Sequence, residues 1–126
     1  MDERLRQSLL YDFYGELLNE HQRQVFSAAI FDDMSYSELA DEFGVSRQAA
    51  FDLVRRINSK LENFETKLGL MNRFLTAKEK MTGLKQSVES LKEIINSLDT
   101  DNKNRKNIEK LLKDIDVRSE DIVESF

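Results

Sequence analysis

Ser46 is followed by RQAAFDLVRR, residues 47–56, and this stretch gathers the side chains best suited to a specific chemistry. Arg47 can bond guanine O6 and N7, and Gln48 can bond adenine N6 and N7. Arg55 and Arg56 can hold phosphates. Phe51 can meet a thymine methyl. Asp52 can only accept, from a cytosine amino group, and an aspartate facing phosphate is unfavourable. The chemistry is reading of base edges in a duplex major groove. Plainer readings stay open at each position. Arg47 can pair with Glu42 or Asp41, Phe51 can pack on its own domain or at a protein interface, and Arg55 and Arg56 can pair with Asp52 and acidic residues a turn away.

To read bases these residues must lie on a helix presented outward, and the preceding sequence predicts one. Ser35 with Glu38 three residues on is a capping box, so a helix starts there. Leu39, Ala40 and Phe43 form its apolar stripe. Gly44 is placed to end it in the left-handed conformation that costs other residues energy. Val45 is expected to plug the turn against the core, and small Ala40 to let two helices approach closely. Ser46 caps the second helix, from Arg47, with Ala50 and Leu53 inward. This is a helix-turn-helix, whose second helix enters the major groove.

The rest of the chain is also helical in pattern. Arg4 to Leu18 carries Leu5, Leu9, Leu10, Phe13, Leu17 and Leu18 at helical spacing. Gly15 within it marks close packing against a neighbour. Asn19 with Gln22 caps a helix with Val25, Phe26, Ala29 and Ile30 inward. Asp32, Asp33 and Met34 form a loop. Beyond the motif, Ala50, Val54, Ile57, Leu61, Phe64 and Leu68 extend the second helix to Gly69. A second seam follows at Leu70, Phe74, Ala77, Met81, Leu84, Val88, Leu91, Ile95 and Leu98, in steps of four and three. Gly83 invites a kink or break near Thr82. Asp99 to Asn102 is a polar breaker. Ile108, Leu111, Leu112 and Ile115 define one more helix, and Ile122, Val123 and Phe126 a short terminal turn. The seam has two readings: helices folded back within one chain, or a homodimer built on Leu70–Leu98 and suited to a palindromic site.

Composition narrows the classes. The chain has 126 residues, no proline, no cysteine and four glycines, which favours long helices and excludes disulfides and thiolate chemistry. No apolar run suits a signal peptide or membrane span, so a cytoplasmic protein that does not enter membranes is expected. His21 is the single histidine and Asp32–Asp33 lacks the alternating ligands of a calcium loop, so no metal is expected. No phosphate loop or catalytic constellation appears, so no cofactor and no enzyme activity are expected. Net charge is −5, and residues 1–70 carry all of it, with 8 Lys+Arg against 13 Asp+Glu. That balance opposes phosphate binding in bulk and leaves it to local basic groups.

Residues 17–57, LLNEHQRQVFSAAIFDDMSYSELADEFGVSRQAAFDLVRRI, resemble region four of bacterial sigma factors. LLYDFYGELL, the acidic loop before Ser35, and ELADEFGVSRQAAFD resemble more closely the YlxM-like family of small helix-turn-helix proteins of Gram-positive bacteria. The resemblance covers about residues 5–75. It implies a sigma-region-four-like domain at 1–69, which the seams extend with a helical, coiled-coil-like segment at 70–126 into an all-α fold. It implies a DNA-binding regulator linked to the signal recognition particle pathway, with Ser46, Arg47, Gln48, Phe51, Asp52, Arg55 and Arg56 at the DNA. Phe51 and Asp52 depart from the sigma pattern, which places Arg or Gln there. The alternative is a protein-interaction module that binds the signal recognition particle GTPase or its RNA complex. RNA binding through the same basic groups is a third reading.

Overall fold

The structure, a computed structural model, describes residues 1–98 and 101–125. These form α1 (Glu3–Tyr14), a 3-10 turn (Gly15–Leu17), α2 (Glu20–Ile30), α3 (Tyr36–Phe43), α4 (Arg47–Leu68), α5 (Leu70–Ser97) and α6 (Asn102–Glu124). The fold is all-α, with no strand among the described residues. None of the described helices is long and apolar enough to cross a membrane. The chain divides into two compact units, Met1–Met71 and Asn72–Phe126.

In the first unit the helix starts follow local chemistry. Asn19 and Gln22 close a reciprocal capping box on α2, and Ser35 and Glu38 close another on α3. Ser46 Oγ accepts from the Ala49 N–H at 3.0 Å and opens α4. Gly44 and Gly69, both at φ 66°, take the left-handed conformation that ends α3 and α4. The core is built from Leu10 and Tyr14 of α1, Val25 and Phe26 of α2, Leu39 of α3, and Ala50, Val54, Ile57 and Leu61 of α4.

Several expectations are corrected. The first helix stops at Tyr14, and the chain tightens through Gly15–Leu17 so that Leu18 can turn extended and bury. A Cβ on Gly15 would stand 3.1 Å from the ring of Tyr11, so the close packing is against its own helix. Leu5 and Leu17 are exposed, and Tyr14 takes the core position. Ala28 is buried on α2, while Ala29 and Ile30 are half-buried. Val45 does not plug the turn: it is 39% exposed, and its N–H closes the turn by donating to the Ala40 carbonyl at 3.1 Å. Met71, not Leu70, is buried where α5 begins.

Polar contacts tie this unit together. Arg6 grips Glu62 with two hydrogen bonds, Nε to Oε1 at 2.6 Å and Nη2 to Oε2 at 2.7 Å, joining α1 to α4. This bidentate bond holds the Glu62 carboxyl below the usual glutamate range, although burial opposes it. A depressed folded value means the contribution is present at neutral pH and is lost as pH falls through that value. Arg6→Ala should therefore flatten the acid limb of a melting-temperature profile below about pH 5. The effect is modest because both groups are about one-third exposed. An acid limb of unchanged slope would contradict the assignment.

Tyr14 and Glu65 form a more deeply buried link. Tyr14 donates from its hydroxyl to Glu65 Oε1 at 2.6 Å, and the same hydroxyl accepts from the Leu70 N–H at 3.0 Å. Glu65 Oε1 also accepts from the Met71 N–H at 2.9 Å. Two side chains from other helices thus cap the first turn of α5, whose N–H groups would otherwise be orphaned.

In the second unit α5 and α6 run antiparallel. Lys85 bonds Glu120 at 3.4 Å and Lys92 bonds Asp116 at 3.1 Å, so the numbers rise on one helix as they fall on the other. Val88, Leu112 and Ser119 are buried, and Ser119 Oγ donates to the Ile115 carbonyl at 2.8 Å. Gly83 does not break α5; helical hydrogen bonding carries through it at a cost of about 1 kcal/mol relative to alanine. The expected terminal turn is continuous with α6. Asp101 caps α6 by accepting from the Asn104 N–H at 2.7 Å. The remainder of the polar breaker, Asp99 and Thr100, and also Phe126, lie outside the described residues.

Candidate nucleic-acid interface

The loop before α3 sets where the helix-turn-helix stands. Asp33 holds a positive φ of 55°, which a non-glycine residue adopts only with support. Arg4 Nη2 donates to the Ile30 carbonyl at 2.9 Å and to Asp33 Oδ1 at 2.8 Å, pinning the loop to α1. The aspartate is thus engaged by an arginine. Among the described residues no group of three or more His, Cys, Asp or Glu side chains gathers as a metal site. His21, exposed on α2, packs edge-on against Phe43 of α3 with ring centroids 5.8 Å apart.

The buried line Ala50, Val54, Ile57 and Leu61 fixes which way α4 faces. With 3.6 residues per turn, Gln48, Asp52 and Arg55 fall on the opposite side and Phe51 on the flank, while Arg47 shares the phase of the buried line and is exposed because it lies in the first turn. Arg56 lies on the flank beyond Asp52. Ser46, Arg47, Gln48, Arg55 and Arg56 are exposed, Phe51 is 39% exposed and Asp52 is half-buried. The open readings now separate. Among the described residues no ion pair holds Arg47, Arg55 or Arg56. Asp52 is engaged by Gln48 instead, whose Nε2 donates to Asp52 Oδ1 at 3.3 Å. That bond leaves Gln48 with its second N–H and its carbonyl oxygen, the pair an adenine edge needs.

Tyr36 was not singled out by the sequence. Its ring meets Phe51 edge-to-face with centroids 5.2 Å apart. Tyr36, Arg47, Gln48 and Phe51 line one shallow concavity. The face is therefore an apolar pair flanked by two hydrogen-bonding side chains and an exposed arginine a turn further on. The N-terminus of α4 adds its partial positive charge beside Arg47. Ser46→Ala should lower stability by about 1 kcal/mol, read by denaturant unfolding. The same change should loosen the face it opens, read as faster amide exchange at Ala49. Unchanged stability and exchange would show that the cap does not hold the helix.

Residues 1–115 match the UPF0122 family, described as "Putative helix-turn-helix protein, YlxM / p13 like". A UPF0122 protein of Halalkalibacterium halodurans is 42% identical over 106 residues, covering 79% of this chain and 97% of the relative. One from Shouchella clausii is 42% identical over 90 residues, 71% of this chain and 83% of the relative. One from Bacillus cereus strain AH187 is 34% identical over 106 residues, 79% of this chain and 96% of the relative.

Proposed function

Because the chain belongs to the UPF0122 family of YlxM/p13-like proteins, we propose that it is a non-enzymatic, cytoplasmic regulator that binds duplex DNA as a homodimer through α4. In this reading residues 1–69 are the reading domain and residues 70–126 join the copies. Arg47 and Gln48 read base edges, Arg55 and Arg56 hold phosphates, Phe51 supports a methyl contact, and Ser46 and Asp52 position the readers. The observation that carries the reading is the exposure of Arg47, with no ion pair among the described residues, in the capped first turn of a helix that presents Gln48 and Arg55 away from its buried face.

Selection from a random duplex pool tests it. Enrichment of one sequence, lost on Arg47→Ala, is the expected result; a pool that stays random contradicts it.

A second reading draws support from the same face. Tyr36 and Phe51 expose an aromatic pair beside Asp52, and residues 1–70 are acidic. These are features of a protein-binding surface. The partner implied by the family resemblance is the signal recognition particle GTPase or its RNA complex. Binding of that GTPase, lost on Phe51→Ala, would favour this reading over DNA.

A further inference from the structure

We propose that the α5–α6 hairpin docks on the hairpin of a second copy through one apolar face, closing a four-helix bundle. The inference rests on the homodimer in the reading above but not on DNA binding. Its test reads mass, so either part can fail alone.

The seam on α5 serves two purposes. Met81, Val88 and Ile95 point along the line that meets α6, and Val88 is 5% exposed. Leu84, Leu91 and Leu98, seven residues apart, fall on one flank of that line and are 42%, 45% and 52% exposed. On α6, Leu112 and Ser119 face α5, while Leu111, Ile115 and Ile122 lie on the matching flank at 61%, 39% and 48% exposed. In an antiparallel hairpin these two flanks open on the same side. The Lys85–Glu120 and Lys92–Asp116 bonds set the register. Leu84 then stands beside Ile122, Leu91 beside Ile115, and Leu98 beside Leu111.

Three apolar rungs, seven residues apart on α5 and four and seven apart on α6, are half of a helical bundle. They amount to on the order of 500 Å² of contiguous apolar surface, a size that is often functional, and a pair of copies would bury about 1,000 Å², the lower bound for a biological interface. The charges at the edge favour a second copy as occupant. Asp114 and Arg118 border the rungs on α6, and neither has an ion pair among the described residues. A two-fold axis near residue 116 lays α6 against its copy antiparallel. It brings Asp114 of each chain to Arg118 of the other, so the ion pair forms twice across the axis.

The test is sedimentation velocity on the full chain from one to hundreds of micromolar, with helicity followed by circular dichroism. The wild type should be a dimer in the tens of micromolar. Leu91→Asp and Ile115→Asp should each weaken pairing about 100-fold, with helicity kept because both sites are exposed in the single chain. Asp114→Arg should also weaken it, and Asp114→Arg combined with Arg118→Asp should restore it. Restoration supports the two-fold pairing even if the aspartate variants lose helix. A wild type that stays monomeric at hundreds of micromolar overturns the proposal, as does a dimer indifferent to all four variants.

Discussion

Glu65→Ala is expected to lower the stability of the helix-turn-helix unit by about 3 kcal/mol. Glu65 sits at only 9% exposure and receives the Tyr14 hydroxyl at 2.6 Å and the Met71 N–H at 2.9 Å. Alanine leaves both donors in a buried site without that acceptor, and each such loss costs about 1–3 kcal/mol. Burial first, and the bond to Glu65 second, raises the Tyr14 pKa, so the hydroxyl remains a donor throughout the neutral range. Tyr14→Phe should cost less, about 1–2 kcal/mol, because the carboxylate keeps its bond to Met71. Urea unfolding measures both. Hydrogen exchange adds a local test: Leu70 and Met71 should lose protection before the rest of α5. A Glu65→Ala cost no larger than that of a solvated surface residue would show that the carboxylate is not the cap of α5.

The second large effect falls on binding. On a duplex chosen by selection, Arg47→Ala and Gln48→Ala should each cost about 1–3 kcal/mol, roughly 5- to 160-fold in affinity, and relax preference at one base position. Arg55→Ala should behave differently, weakening all sequences alike and reducing the salt slope by about 1. Asp52→Ala separates the two kinds of contact. It removes a negative charge from the face, so binding to unrelated duplexes should tighten. It also frees the Gln48 amide from its 3.3 Å bond, so preference at the Gln48 position should fall. Competition titrations with single-base variants of the duplex would measure each change. Equal losses at every base position for Arg47→Ala would place that arginine on phosphate instead.

The helix starts were legible because capping is local chemistry. Asn19 with Gln22, Ser35 with Glu38, and Ser46 lie within three residues of the groups they bond. Gly44 and Gly69 were legible because few other residues accept their backbone conformation. Val45 was misjudged because whether a turn residue buries depends on what packs over it, and here backbone bonds alone close the turn. Tyr14 and Glu65 were missed because they read as polar positions until a contact 51 residues apart brings them together. Tyr36 was missed for the same reason, since nothing in its neighbourhood announces a ring contact with Phe51. Periodicity showed that α5 has an apolar seam, but a repeat cannot tell which side of the seam meets α6. For the candidate site, residue types and the outward phase of Gln48, Asp52 and Arg55 were readable in advance, whereas Arg47 shares the phase of the buried line and is exposed because it lies in the first turn. The Gln48–Asp52 bond was not, because aspartate four residues after glutamine has several partners within reach.

The most direct test of the central claim is fluorescence anisotropy of a labelled random-sequence duplex titrated with the full chain at about 50 and 200 mM salt. Groove reading through Arg47, Arg55 and Arg56 predicts measurable binding at low salt that weakens steeply at the higher concentration. No binding at low salt would contradict DNA recognition and leave the Tyr36–Phe51 face to a protein partner.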